Sequence, residues 1–183
     1  PQWPADCIDH IITDAPYGID IAMMQQAVGA MQDVDRIKAT HDVAENLALF
    51  GAMFPVFHRV LKPGGFFITF CDAMLWQTLY DNAMAAGFGV QRWPIVWVKT
   101  SPCKNQMVHV NFTKDYELAI VCRKGTARLP RPVNTSVITC PNDSEKASNP
   151  FAKPFFAWKF VIEAVSIPGQ TILEPFAGEG SGV

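Results

Sequence analysis

Near the amino terminus, a carboxylate and an aromatic ring follow directly on an apolar run. Residues 11 to 13 (Ile-Ile-Thr) are β-branched and typical of a buried strand, and DAPYG follows at residues 14 to 18. A carboxylate such as Asp14 can accept hydrogen bonds from an amine, and a ring such as Tyr17 can stack on a planar group. Asp, Pro and Gly are also common turn residues, so a plain turn explains this stretch equally well when it is taken alone.

A glycine-rich stretch near the carboxyl terminus is the second candidate for chemistry. PFAGEGSG, at residues 175 to 182, follows a short strand pattern and places glycines at alternate positions 178, 180 and 182. Glycines allow backbone amides to approach a ligand closely, and a helix that begins there favours polar or anionic groups. A tight turn that binds no ligand is the more common explanation of such a loop by itself.

The elements between these two stretches alternate between strand and helix. The predicted elements are strands at 8–13, 66–71, 95–99, 116–124 and 171–173, helices at 42–60, 72–86 and 155–166, and a surface loop at 125–150. Such alternation predicts a mainly parallel α/β sheet, in which ligands bind at the carboxyl ends of the strands. Both candidate stretches follow a predicted strand directly.

Composition limits the class of protein. The 183 residues are 49% hydrophobic and 17% charged, which is typical of one globular domain. No apolar run is long enough to span a membrane and no signal peptide is visible, so we expect a cytoplasmic protein without a membrane partner. The five cysteines are scattered and the four histidines lack ligand spacing, which predicts neither a disulfide framework nor a metal site.

Positive charge is concentrated in residues 92 to 131, here called the basic segment. It holds 8 Lys or Arg against 2 Asp or Glu, a local charge of +6, whereas the whole chain carries −2. Its cations are Arg92, Lys99, Lys104, Lys114, Arg123, Lys124, Arg128 and Arg131, and its rings include Trp93, Trp97, Phe112 and Tyr116. Cations mixed with rings suit a phosphate backbone and unstacked bases, although a solvated surface is the usual role of a charged run.

Taken together, the two ends of the chain resemble the S-adenosylmethionine-dependent amino-methyltransferases of DNA. DAPY at residues 14 to 17 is similar to their catalytic motif, usually Asp-Pro-Pro-Tyr. EPFAGEG at residues 174 to 180 is similar to their cofactor loop, usually Asp-Pro-Phe-x-Gly-x-Gly. LKPGGFFITF, WPIVWVK, YELAIVCRKG and NPFAKP resemble further segments of the family. A catalytic motif that precedes the cofactor loop is the circularly permuted order of the family's β class.

The resemblance implies a fold and a set of site residues. The expected fold is α/β and Rossmann-like, with a mainly parallel sheet, helices on both faces and an antiparallel edge strand. The implied catalytic residues are Asp14, Ala15, Pro16 and Tyr17. The implied cofactor-binding residues are Glu174, Pro175, Phe176, Gly178, Gly180 and Lys153. DNA contacts are expected from Lys99, Lys104, Lys114 and Arg128.

The activity that the resemblance implies is methyl transfer from S-adenosylmethionine to an exocyclic amine of double-stranded DNA, with the target base flipped out. Adenine N6 is favoured over cytosine N4, because the family's cytosine-N4 members more often begin the catalytic motif with serine. The implied setting is DNA modification, including restriction-modification, in a prokaryote or phage. A homodimer is compatible with the sequence.

This sequence departs from the family pattern at three places. Ala15 replaces the first proline of the motif, Asn149 replaces a common histidine, and the chain ends immediately after the cofactor loop. We therefore expect residues 1 to 183 to form a single methyltransferase catalytic domain that is incomplete at its carboxyl terminus and lacks the far edge of its sheet. Within it, residues 100 to 148 are expected to be a loop-rich, partly basic region that faces DNA.

Two other functions stay open. The first is a methyltransferase that acts on another planar amine, in RNA or in a protein side chain, which the motif order disfavours. The second is a catalytically inactive or truncated methyltransferase-like module that binds DNA or a protein partner without transferring a methyl group.

Overall fold

The computed structural model of the chain describes residues 3–15, 43–100, 109, 112–141 and 153–177. Within these residues, seven strands form one sheet in the order β6-β4-β5-β2-β1-β7, and β3 pairs with β5 beside that path. The strands are β1 (Ile8–Thr13), β2 (Leu61–Cys71), β3 (Gly89–Val90), β4 (Ile95–Lys99), β5 (Tyr116–Arg123), β6 (Val137–Cys140) and β7 (Ile172–Leu173). The helices are α1 (Val43–Val60), α2 (Trp76–Ala85) and α3 (Phe155–Val165), and a short 3-10 turn covers Ala73–Leu75.

One strand of the described sheet runs against the others. β5 is antiparallel to β2, β3 and β4, whereas β1 is parallel to β2 and β7, and β4 is parallel to β6. The prediction of a mainly parallel sheet is therefore confirmed. The antiparallel strand was expected at an edge, which is wrong, because β4 and β6 continue the sheet beyond β5.

Helices cover both faces of the sheet, as expected. On one face, rings of α1 such as Phe54 pack on Phe67 of β2, together with Leu79 of α2. On the other face, Trp158 of α3 packs on Phe70 of β2, with ring centroids 5.7 Å apart. Neighbouring residues of a strand point to opposite faces, so a strand that is covered on both faces is a continuous apolar run. This explains the FFITFC sequence of β2.

The boundary between α1 and β2 differs from the expectation. The helix ends at Val60, as the following LKPGG predicted, but the strand begins at Leu61 rather than at Phe66. Ile8 pairs with Leu61 and His10 with Phe66, so the intervening residues form an irregularity in the ladder. Gly64 in this irregularity has φ +90°, a conformation that glycine adopts without strain.

β6 lies in the segment expected to be a surface loop. Val137–Cys140 pairs in parallel with β4, and Ile138 and Cys140 are buried while Val137 and Thr139 are exposed. Only four residues alternate in this way, and the surrounding segment is rich in Pro, Asn and Ser. Residues 100 to 148 therefore include two strands, β5 and β6. No helix among the described ranges is long and apolar enough to cross a membrane.

Candidate active site

The candidate site lies at the carboxyl ends of two neighbouring strands. β1 and β7 pair in parallel, with His10 opposite Ile172 and Ile11 opposite Leu173, which confirms the expected adjacency of strands that are distant in sequence. The residues that follow these strands, Asp14 and Glu174, therefore emerge at the same edge of the sheet.

The Thr13 hydroxyl connects the two strand ends. It donates a hydrogen bond of 2.6 Å to Glu174 Oε1, and the Phe176 amide donates one of 2.7 Å to the same oxygen. Thr13 is fully buried. The Glu174 carboxylate is therefore fixed from both β1 and its own loop.

Burial raises the pKa of Glu174, while the Thr13 hydroxyl and the Phe176 amide oppose this rise and the negative charge of Asp14 adds to it. The other carboxylate oxygen of Glu174, Oε2, is shielded from solvent and accepts no hydrogen bond from a described residue. A shielded acceptor without a partner is costly unless a donor or a cation reaches it. This oxygen is therefore suited to a cationic or hydrogen-bond-donating ligand group.

Lys153 contacts the Asp14 carboxylate directly. Its Nζ lies 2.8 Å from Oδ1 and 2.7 Å from Oδ2, and only 4% of the lysine side chain is exposed. Lys153 directly precedes the cap of α3, where Pro154 is extended. Burial raises the pKa of Asp14, against the attraction of Lys153, while the nearby Glu117 charge raises it further.

Glu117 of β5 extends this network away from Asp14. Its Oε2 lies 3.1 Å from Lys153 Nζ, and its Oε1 lies 2.6 Å from Lys99 Nζ. Burial by itself would raise the pKa of Glu117, but the two lysines together lower it below its ordinary value. Sequence reasoning missed Glu117, and the available signal was a single acid near the start of a strand whose interior is apolar.

The remaining implied catalytic and cofactor residues are placed as follows. Ala15 is buried beside Asp14, and Phe176 packs edge-on against Phe50 of α1, with ring centroids 6.1 Å apart. Pro175 lies between Glu174 and Phe176 and is partly buried. Pro16, Tyr17, Gly178 and Gly180 lie outside the described residues.

The implied DNA contacts differ in their surroundings. Arg128 is exposed, and Lys114 forms an ion pair with Asp72 while 47% of its side chain stays exposed. Lys99 differs from a lysine on an open surface, since its side chain is 15% exposed and is held by Glu117. Lys104 lies outside the described residues.

A groove of about 500 Å³ lies elsewhere on the molecule, on the α3 face of the sheet. Phe66, Val121 and Arg123 contribute to its lining, and none of the candidate catalytic or cofactor residues does. Phe66 and Arg123 pair across β2 and β5 at the end of these strands opposite to Cys71 and Leu118. The groove is therefore separate from the network around Asp14.

Comparison with known proteins identifies relatives along almost the whole chain. The family model described as DNA methylase, of the N6 and N4 methyltransferases, matches residues 8–183. The Escherichia coli (strain K12) protein named "Putative methylase YubD" is 26% identical over 185 residues, which cover 98% of this chain and 71% of that protein.

Solved structures share the fold. The M1.HpyAVI-SAM complex superposes with a TM-score of 0.68 at 20% identity, covering 97% of this chain and 75% of that one. The cytosine-N4-specific PvuII DNA methyltransferase has a TM-score of 0.70 at 15% identity, covering 98% and 71% of the two chains. The mixed, mainly parallel sheet with helices on both faces is thus the fold of these methyltransferases.

Proposed function

Because the chain belongs to the DNA methylase family of N6 and N4 methyltransferases, we propose that it transfers a methyl group from S-adenosylmethionine to an exocyclic amine of a DNA base. The observation that carries this proposal is the placement of Asp14 and Glu174 at the paired carboxyl ends of β1 and β7. One loop can then hold the target amine while the other holds the methyl donor.

The residues at the end of β7 fit this cofactor. S-adenosylmethionine carries a sulfonium and an ammonium group, and the shielded Glu174 Oε2 has no partner among the described residues. We infer that Glu174, Pro175 and Phe176 line the cofactor site, and the family resemblance adds Gly178 and Gly180. When bound, S-adenosylmethionine supplies an electrophilic methyl group.

Asp14 would act on the target amine. The lone pair of an exocyclic amine is delocalised into the ring, so the amine must be reoriented rather than strongly deprotonated. Hydrogen bonds from the amine to the Asp14 carboxylate and to the Ala15 carbonyl would localise this lone pair toward the methyl group. As the N–C bond forms, the methyl–sulfur bond of the donor would break and leave a neutral thioether. Asp14 would stabilise the positive charge on the nitrogen until the nitrogen releases one proton to water.

Lys153 is assigned to the cofactor site by the resemblance, and that contact stays a prediction. Its contacts in the structure support a role at the Asp14 carboxylate instead, because both carboxylate oxygens lie within 2.8 Å of its ammonium. A paired ammonium of this kind orients the carboxylate and favours its ionised form.

We favour adenine N6 over cytosine N4 as the target, because the catalytic motif begins with Asp14 rather than with serine. The base would be flipped out of duplex DNA and stacked on the ring of Tyr17, which follows Pro16 in the catalytic motif. Phosphate contacts would come from four cations of the basic segment, Lys99, Lys104, Lys114 and Arg128. The ammonium of Lys99 is partly covered by its contact with Glu117.

Methyl transfer tests the proposal directly. The chain is incubated with tritiated S-adenosylmethionine and unmethylated duplex DNA, and the DNA is then digested to nucleosides and separated. Tritium in N6-methyl-2′-deoxyadenosine supports the full proposal, and tritium in N4-methyl-2′-deoxycytidine supports the family assignment but contradicts the preferred base. DNA binding without transfer would favour the inactive binding module. Matched RNA is the control substrate.

A further inference from the structure

Four side chains of alternating charge form a continuous network that leads away from the candidate catalytic carboxylate. Lys99 of β4 contacts Glu117 of β5, Glu117 contacts Lys153, and Lys153 contacts Asp14. The exposed fractions of these side chains are 15%, 17%, 4% and 21% in that order. The proposed methyl-transfer chemistry uses Asp14 and gives no role to Glu117.

The Lys153 ammonium is shared between two carboxylates. It has three N–H donors, and among the described residues it lies within donating distance of both oxygens of Asp14, at 2.8 and 2.7 Å, and of one oxygen of Glu117, at 3.1 Å. Glu117 is itself oriented by its 2.6 Å contact with Lys99. The position of Lys153 relative to Asp14 therefore depends on Glu117 as well.

We propose that Glu117 is a positioning residue for the candidate catalytic carboxylate: by sharing the Lys153 ammonium, it limits how strongly that ammonium holds Asp14 and keeps Asp14 available to the target amine. This inference rests on the proposed function for its catalytic meaning. The sharing itself is a property of the fold that can be measured without any reaction.

Two changes of charge should act in opposite directions. In Glu117→Gln, Asp14 becomes the remaining described carboxylate that pairs with Lys153, and a like charge next to Asp14 is removed. Both effects lower the pKa of Asp14. In Lys99→Met, Glu117 keeps its charge but loses one lysine, so it attracts Lys153 more strongly and the pKa of Asp14 rises.

Other ionisable groups face the same space. Glu174 approaches Asp14 from the end of β7, and its pKa is raised by burial. Cys71, at the end of β2, stays a neutral thiol because burial raises its pKa to about 12. Glu174 can titrate in the same acidic range as Asp14, so the titration of Asp14 must be followed individually.

The test is a carbon-13 NMR titration of the Asp14 carboxyl, identified by the signal that Asp14→Asn removes. We expect the pKa of Asp14 to fall by about one unit in Glu117→Gln and to rise in Lys99→Met, since a neighbouring charge shifts a carboxyl by about 1 to 3 units. In a Lys153→Met background, the Glu117→Gln shift should be smaller, because only the direct effect of charge is left. Glu163→Gln, an exposed acid on α3, is the matched control and should leave Asp14 unchanged.

A purely structural role for Glu117 predicts another pattern. Loosened packing would shift the pKa of Asp14 in the same direction in both variants. Either that result or an unchanged pKa of Asp14 would contradict the proposal that Glu117 and Asp14 share Lys153. If Glu117→Gln does not fold, Lys99→Met is measured with and without Lys153→Met, and a rise in the pKa of Asp14 that does not shrink in the Lys153→Met background would overturn the sharing.

Activity separates this inference from the proposed function. In Glu117→Gln we expect kcat for methyl transfer to fall about tenfold, with KM for S-adenosylmethionine unchanged and the acidic limb of the pH profile moved to lower pH. A wild-type chain that transfers no methyl group contradicts the proposed function, while the NMR shifts still decide the sharing. Normal transfer with no NMR shifts contradicts the sharing alone.

Discussion

The Thr13 hydroxyl lies 2.6 Å from Glu174 Oε1, although the two residues are 161 positions apart in the chain. This hydrogen bond joins the ends of β1 and β7 at the place where the candidate catalytic and cofactor loops begin. The residue that begins the candidate cofactor loop is therefore held to β1 by one buried hydroxyl.

Thr13→Val tests this connection. The substitution keeps the shape of the side chain but removes the hydroxyl, so Glu174 Oε1 loses the hydrogen bond from Thr13 and keeps the one from the Phe176 amide. We expect a loss of about 1 to 2 kcal/mol in the free energy of unfolding, measured in urea. The affinity for S-adenosylmethionine, measured by calorimetry, should fall several-fold. Thr13→Ser keeps the hydroxyl but deletes a buried methyl group, so it should retain the affinity while losing about 1 kcal/mol of stability. A Thr13→Val protein with wild-type affinity would contradict the role of this contact.

A second prediction concerns the opposite end of β1. Asp9 forms a 2.7 Å ion pair with Lys62 and accepts a 2.9 Å hydrogen bond from the Thr171 amide. Both contacts lower the pKa of Asp9, and the contact with Lys62 has the larger effect. A carboxyl group whose pKa is lowered in the folded protein stabilises the fold at pH values above its ordinary pKa of 3.8. This stabilisation is lost as the pH falls below 3.8 and through the lowered pKa. Asp9→Asn should therefore cost about 1 kcal/mol at neutral pH.

The difference between wild type and Asp9→Asn should shrink as the pH falls through the lowered pKa, because Asp9 then becomes protonated in the wild type too. Urea unfolding at pH 7 and at pH 3 measures it. Asp81→Asn, an exposed position on α2, is the control. A difference that stays constant with pH would mean that the charge of Asp9 is not the source of the stability.

The basic segment should govern the affinity for DNA. Lys114→Glu combined with Arg128→Glu should weaken duplex binding and reduce the slope of log K against log salt by about 1.8, since each lost phosphate contact contributes about 0.9. Fluorescence anisotropy at several salt concentrations measures the slope. Lys159→Glu, a half-exposed lysine on α3, is the matched control. An unchanged slope in the double variant would identify these cations as a solvated surface without a DNA contact.

The positions of the main strands could be predicted from the sequence because they depend on local patterns, and the family resemblance predicted that β1 and β7 are neighbours. The apolar runs of β1, β2 and β4 were identified closely, and two motifs at strand ends required β1 and β7 to be neighbours. The short β6 was missed because its four residues alternate within a Pro- and Ser-rich segment, and its identity as a strand comes from pairing with β4.

The charged network could not be predicted, because its contacts are set by the tertiary fold. Lys153 and Asp14 are 139 residues apart, and their contact requires the start of α3 to lie over the end of β1. The family resemblance therefore indicated a cofactor contact for Lys153, whereas in the structure its ammonium contacts the Asp14 carboxylate. Glu117 was read as part of strand YELAIVCRK, since one acid beside a strand end has no distinctive local pattern.

The proposed role of Asp14 predicts how methyl transfer depends on pH. Transfer would require the ionised Asp14 carboxylate, and burial raises the pKa of this carboxyl above the ordinary 3.8. We therefore expect activity to fall on acidification at a pH higher than that of an exposed aspartate. Initial rates of tritium transfer across the acidic range measure this limb, with circular dichroism to show that the protein stays folded. Loss of activity only below the ordinary value would contradict the shift.

The most direct measurement of the central claim is methyl transfer by Asp14 variants. Asp14→Ala should abolish tritium transfer to duplex DNA while S-adenosylmethionine still binds, because the implied cofactor residues Glu174 and Phe176 belong to the other loop. Asp14→Asn keeps an acceptor oxygen without its charge and should show reduced but detectable transfer. Asp81→Ala should transfer at the wild-type rate. A wild-type rate in Asp14→Ala would contradict the account, because Asp14 would then be a turn residue whose loss costs about 1 kcal/mol of stability and no chemistry.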